Sequence, residues 1–505
     1  MSQKGVKEAF VANLNGTTLL EISLGLPLAP SCLLARGLLL ILYFLHRGEP
    51  LRSRSGHFLL DFAVLVVPPI LSCTILAPFL PLVILSLWAF CAGLLLAVYR
   101  RRGGGVLRGP LKHALRHFGE TSLAPEYIPS ITVFRVYVNV LTSIAILAVD
   151  FPQYPRRYAK TESFGTGVMD FGVGSFVFGN AVVCPEVRQK PGAVPCTFYL
   201  AKQVLAVWPL LLLGLGRLMS LKVVGYQEHV SEYGLHWNFF FTLAAVRMAA
   251  SLLLGVFSAR RAWIVAMVLA VAYECLLAVT PLKSFILSGS DGQGSRAGFL
   301  SANREGLFSV IGYLAIYMAS VQVGLYLRQK RTTVGEWMGV ARTFLLAAFL
   351  LLAGLHVTQT HVERVSRRMA NLAFCLWVEA HCLLLFSTFL AADLALVFAK
   401  LLVEGAPVPG SWELAEPSAA TRKKRDEEPQ ARKAAPQGVC VIGAVNRNQL
   451  LYFLLANVLT GLANMLVDTL HSSTPSALLV LHLYMFANCL VMYVLQAKNI
   501  VLKWW

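Results

Sequence analysis

The chain has 505 residues, of which 57% are hydrophobic and only 14% charged, with a mean hydropathy of +0.64. A soluble globular protein carries about a quarter of its residues charged, so the composition excludes one and predicts an all-α polytopic membrane protein. The net charge of +18 does not mark a nucleic-acid-binding face. Its basic runs, Arg100-Arg101-Arg102 to Arg116 and Arg422-Lys423-Lys424-Arg425, abut or connect apolar spans, where topology and anionic lipid account for them.

In chain order, residues 1–21 precede the first span and carry Lys4 and Lys7. Nothing there reads as a cleavable signal, because the span that follows is long and holds Pro27 and Pro30. Apolar windows able to cross a hydrocarbon core of about 30 Å begin near Ile22, Phe58, Phe79, Ile131, Val168, Phe198, Trp237, Trp263, Gly306, Trp337, Ala370, Gln449 and Ser476. These predict about thirteen transmembrane helices, eleven of them within residues 22–403. Residues 404–448 read as a disordered cytosolic linker, rich in Pro, Ala and charge up to Cys440. Residues 449–505 supply the last two spans and a short tail. The cysteines form no CxxC, and seven of them fall in spans, which reads as small buried hydrophobes rather than metal ligands.

Lysine and arginine set the orientation, since basic loops are retained in the cytosol. Segments that alternate onto one side hold 26 of the 44 basic residues, and those on the other side hold 13. This two-to-one bias predicts a lumenal N-terminus and a cytosolic C-terminus. Asn15-Gly16-Thr17 is then a lumenal glycosylation sequon, expected to be unused so close to the first span.

The unusual polar residues collect on the less basic side, in five successive loops able to line one chamber. Asp150 falls where the fourth span should end, because Pro152 and Pro155 cannot continue the helix. A carboxylate held there, beside unpaired helix-end carbonyls and partly out of water, is a candidate general base. Lys160, ten residues on, can fold back across the proline turn to pair with it or to stabilise an oxyanion. The alternative is an interfacial salt bridge, with Arg156 and Arg157 as snorkelling anchors. Gly165, Gly172 and Gly179 recur every seven residues and read as a flat packing face, with Asp170 set among them. In GYQEHVSEYGLHWNFF, a helix would put several of Glu228, His229, Glu232 and His236 on one face. That pattern suits either a headgroup-binding re-entrant helix or a metal pair, and HExxH is absent. Asn303, Arg304, Arg367, Arg368 and Asn371 suit phosphate and sugar hydroxyls, with interfacial anchoring as the plainer reading. Asp468 and His471 close the set.

Taken together, EAFVANLNGTT, AVDFPQYPRRYAKTE, GTGVMDFGVG, GYQEHVSEYGLHWNFF, ANREG, SRRMANLAF and MLVDTLHSS resemble the inositol acyltransferases of glycosylphosphatidylinositol (GPI) anchor synthesis, the animal PIG-W and fungal Gwt family. The resemblance covers essentially the whole chain. It implies an endoplasmic reticulum membrane enzyme that moves a fatty acyl group, typically palmitoyl, from acyl-CoA to the inositol 2-hydroxyl of glucosaminyl-phosphatidylinositol. It also implies that Asp150 and Lys160 form the catalytic pair, Asp150 as base and Lys160 as oxyanion stabiliser, or the two exchanged. Arg156, Arg157, Asp170, Glu228, His229, His236, Asn303, Arg304, Arg367, Arg368, Asn371, Asp468 and His471 are then candidates for holding substrate. No bound cofactor or metal is expected, with acyl-CoA entering as co-substrate. No Ser or Cys stands beside a base at a recognisable spacing, so the acyl group is expected to transfer directly. The rival from another class is a lipid transporter or flippase without acyl transfer. The nearest enzyme alternative is an MBOAT-type acyltransferase using His236, His381 or His471.

Overall fold

Twelve helices among the described residues are long and apolar enough to cross a membrane. The computed structural model describes residues 10, 12, 14–101, 111–124, 127–188, 196–224, 230–403, 405–414 and 440–502. The spans are α1 Leu19–Arg47, α2 Arg54–Ser72, α3 Ala77–Arg101, α4 Pro129–Ala148, α5 Val168–Arg188, α7 Phe239–Val256, α8 Ala259–Val279, α9 Arg304–Leu327, α10 Val334–His361, α11 Leu372–Leu402, α12 Gln449–Leu466 and α13 Thr474–Ala497. Helix α6, Cys196–Val224, stands where the sixth span is expected, and its described apolar stretch is the shorter Leu205–Met219. Each of the thirteen expected windows thus meets a helix, and twelve of these helices are long and apolar enough to span.

Helix α11 lies at the centre of the bundle, with Trp377, Val378, Phe386 and Phe389 buried. Its polar residues are costly in hydrocarbon unless paired, and each finds a hydroxyl on a different neighbour. Glu379 accepts from Ser320 of α9 at 2.8 Å, His381 meets Ser23 of α1 at 3.0 Å, and Asp393 accepts from Ser130 of α4. These contacts tie α11 to three of the spans packed around it. The glycine pattern of α5 serves packing as expected. A Cβ at Gly174 would lie 2.6 Å from Val378 of α11, and one at Gly179 would lie 3.3 Å from Arg135 of α4. Gly165 lies before the helix, at φ +129°, with Asn15 O against it.

Part of the segment expected to be linker is packed. Residues 441–447 form a short helix with Val441, Ile442, Ala444 and Val445 buried. A buried ion pair holds both of its described flanks. Arg36 Nε donates to Asp61 Oδ1 at 2.7 Å and Arg36 Nη1 to Pro409 O at 2.6 Å, while Val441 N donates to Asp61 Oδ2 at 2.8 Å. Removing one partner strands the other charge. Asp61→Ala is expected to lower stability by about 3–5 kcal/mol, whereas Arg36→Met/Asp61→Leu should recover most of that loss. Thermal unfolding in detergent reads both.

Candidate functional site

Helix α4 stops at Ala148, and two hydrogen-bonded turns follow, Asp150 N to Leu147 O and Phe151 N to Ala148 O. The helix end and the two prolines leave carbonyls short of backbone donors. Arg156 takes them: Nη1 donates to Val149 O at 2.9 Å, Nη2 to Phe151 O at 3.0 Å and to Tyr154 O at 2.9 Å. Arg156 thus builds the turn that presents Asp150. The Asp150 side chain is buried, and Asn464 Nδ2 of α12 donates to its Oδ2 at 2.7 Å. Asn464 Oδ1 accepts from Thr469, which fixes the amide the right way round.

Beyond the prolines the chain is pinned from below by Asp170, three residues into α5. Asp170 is fully buried. It accepts from Thr161 N and Oγ1, from Gly167 N, and from Arg367 Nε at 2.6 Å. A carboxylate in the first turn of a helix is also favoured by the helix dipole. Burial disfavours the Arg367 charge, but Asp170 beside it more than offsets that and holds its pKa above the ordinary guanidinium value. Lys160 and Glu162, on either side of Thr161, line a cavity of about 850 Å³.

That cavity is also lined by Asp150, Glu21, Glu232, Arg217 and Arg367. Lys160 Nζ makes an ion pair with Glu232. Glu21 is held by Arg157 at 2.9 Å and by the Tyr158 hydroxyl at 2.7 Å. Away from these charges the walls are apolar. Gly25, Leu28, Cys73, Leu80, Tyr137 and Leu141 continue the cavity among α1, α2, α3 and α4. Leu213, Phe176, Phe239, Phe240 and Phe453 continue it among α5, α6, α7 and α12, where Phe176, Phe239 and Phe453 pack ring on ring. A charged centre with apolar extensions suits an amphipathic reactant.

The remaining candidates brace loops instead of lining the cavity. Arg304 donates to the carbonyls of Ile286, Ser295 and Ser301. Arg368 reaches Glu305 at 2.8 Å, and Arg296 grips the same carboxylate. Asn303 accepts from His236 N at 2.8 Å, and Asn371 caps α11 through Phe374 N. His236 does not share a helical face with Glu232, because the helix Val230–Tyr233 ends at Gly234, φ +109°. A Cβ there would lie 2.4 Å from Ala302 O. Glu228 and His229 lie outside the described residues. Asp468 and His471 pair with each other at 2.9 Å on an exposed loop, which lowers the Asp468 pKa. His471→Ala is therefore expected to retain acyl transfer, since exposed pairs contribute about 0–1 kcal/mol; a tenfold loss of turnover would revive the histidine-based alternative.

Groups left unassigned by sequence include Glu21, Glu162 and Arg217 at the cavity and, behind Asp150, Asn464. A signal for the last exists. Asn457, Thr460 and Asn464 recur at helical spacing on an otherwise apolar span, and the first two line the cavity.

The GWT1 family model matches residues 3–495. The chain is 50% identical over 505 residues to a "Glucosaminyl-phosphatidylinositol-acyltransferase PIGW" of Bos taurus, with all of both chains covered. It is 50% identical over 509 residues to the Homo sapiens protein of the same name, again over the full length of both. A "GPI-anchored wall transfer protein 1" of Yarrowia lipolytica is 36% identical over 399 residues, 76% of each chain. With a family model spanning nearly its whole length and full-length relatives at half identity, the chain belongs to the GWT1 family.

Proposed function

We propose that this protein is a glucosaminyl-phosphatidylinositol inositol acyltransferase of GPI-anchor synthesis, using acyl-CoA, typically palmitoyl-CoA, as donor. The observation that carries this reading is that Asp150 and Lys160 line one cavity whose walls away from its charged centre are apolar. Asp150 takes the proton of the inositol 2-hydroxyl as its oxygen attacks the thioester carbonyl. The C–O bond forms, negative charge gathers on the carbonyl oxygen, and the Lys160 ammonium stabilises it. The C–S bond then breaks and the proton passes from Asp150 to the leaving CoA sulfur, so the step needs no outside acid or base. Glu232, paired to Lys160, holds the amine in position.

The acyl chain lies among the helices, where burial of methylenes is favourable, and Arg217 and Arg367 offer charge to phosphate. The other candidate arginines act by shaping loops. The two-to-one bias of basic residues supports placing these loops and the N-terminus in the lumen, and the family resemblance implies that the membrane is that of the endoplasmic reticulum. Transfer is direct. Purified protein given radiolabelled palmitoyl-CoA and glucosaminyl-phosphatidylinositol should yield an alkali-labile inositol-acylated lipid, with no label left on the protein after acid quench. Absence of that product, with label moving only between membrane leaflets, would favour the transporter instead.

A further inference from the structure

We propose that Glu162 reads the ammonium of the acceptor's glucosamine and so selects the free amine over its N-acetylated form; this rests on the acyltransferase reading above. Four carboxylates line the cavity. Asp150 accepts from Asn464, Glu232 pairs with Lys160, and Glu21 is held by Arg157 and Tyr158. Among the described residues Glu162 is the cavity carboxylate with no side-chain cation or donor on it. Its backbone is nevertheless fixed. Glu162 N donates to Leu14 O at 3.0 Å, and the preceding Thr161 is gripped by Asp170 through both its amide and its hydroxyl. A half-buried carboxylate with a rigid backbone and an unoccupied head is set up to receive a cation from the cavity.

The spacing fits one acceptor molecule. Residues two apart in a chain have Cα atoms separated by at most about 7 Å. Lys160 and Glu162 stand two apart, and both line the cavity. The reacting inositol hydroxyl and the glucosamine nitrogen are separated by about one sugar ring, so with the inositol at Asp150 and Lys160 the amine falls within reach of Glu162. An acetylated nitrogen carries no charge and adds bulk. It would leave the carboxylate desolvated without a partner, and that mismatch is where the selectivity arises.

The test compares wild type, Glu162→Gln and Glu162→Asp as purified full-length protein with palmitoyl-CoA. The acceptors are glucosaminyl-phosphatidylinositol and its N-acetylated counterpart. Glu162→Gln is expected to lower kcat/KM for the amine acceptor at least tenfold, chiefly through KM, with the KM for palmitoyl-CoA unchanged. The preference for amine over N-acetyl acceptor should fall by the same factor, and Glu162→Asp should regain part of both. Thermal unfolding should not move, since the side chain supports no contact. An unaltered preference in Glu162→Gln, or a parallel rise in the palmitoyl-CoA KM, would overturn the assignment. If wild type acylates neither acceptor, the acyltransferase reading fails instead, and the two failures are thereby distinguished.

Discussion

Asp150→Asn is expected to reduce acyl transfer by about 10²–10⁴-fold, the usual contribution of a positioned general base, while leaving the unfolding temperature close to wild type. The neutral amide keeps the shape of the carboxylate and can still meet Asn464, whose amide donates to Oδ2 at 2.7 Å. Only proton abstraction is lost. Lys160→Ala should lose a comparable factor by removing the ammonium from the developing oxyanion, and it leaves Glu232 without its ion-pair partner. Lys160→Ala/Glu232→Gln removes that second effect. If the double variant is as slow as Lys160→Ala alone, the loss belongs to the chemistry and not to a stranded carboxylate. Retention of more than a tenth of wild-type turnover in Asp150→Asn would remove Asp150 from the mechanism. The product assay with radiolabelled palmitoyl-CoA reads all three variants.

The order and placement of the helices were legible because each span is a separate apolar window, and a bilayer admits few other uses for such windows. Asp150 and Lys160 stood out for a related reason: charge at the mouth of a span is costly unless something employs it. The supporting shell was less legible. Asn464 reaches Asp150 from 314 residues away, and Glu232 meets Lys160 from a separate loop. Neither pairing leaves a local trace beyond the periodicity of Asn457, Thr460 and Asn464. Arginine is where sequence says least. Arg156, Arg304, Arg367 and Arg368 all look like phosphate ligands, yet the fork of Arg156 closes on three backbone carbonyls and that of Arg304 on three others. A guanidinium filled by carbonyls and one facing a cavity have the same sequence. Only the packing of distant loops separates Arg367, at the cavity, from Arg368, beside Glu305.

Asp170→Asn is expected to lower stability by about 3–5 kcal/mol, because it leaves the Arg367 guanidinium buried without its counter-charge. The carboxylate also accepts from the Thr161 amide and hydroxyl and from Gly167 N, so its loss loosens the segment that presents Lys160 and Glu162. The brace and the substrate role of Arg367 can be separated. Asp170→Asn/Arg367→Met replaces the pair with uncharged groups and should regain most of the lost stability. It should not regain activity, because Arg367 lines the cavity and is proposed to meet phosphate there. Thermal unfolding in detergent and acyl transfer, measured on the same preparations, resolve the two. Activity recovering in step with stability would show that Arg367 serves only to hold Asp170, and would leave Lys160 and Arg217 as the cations that face the substrates.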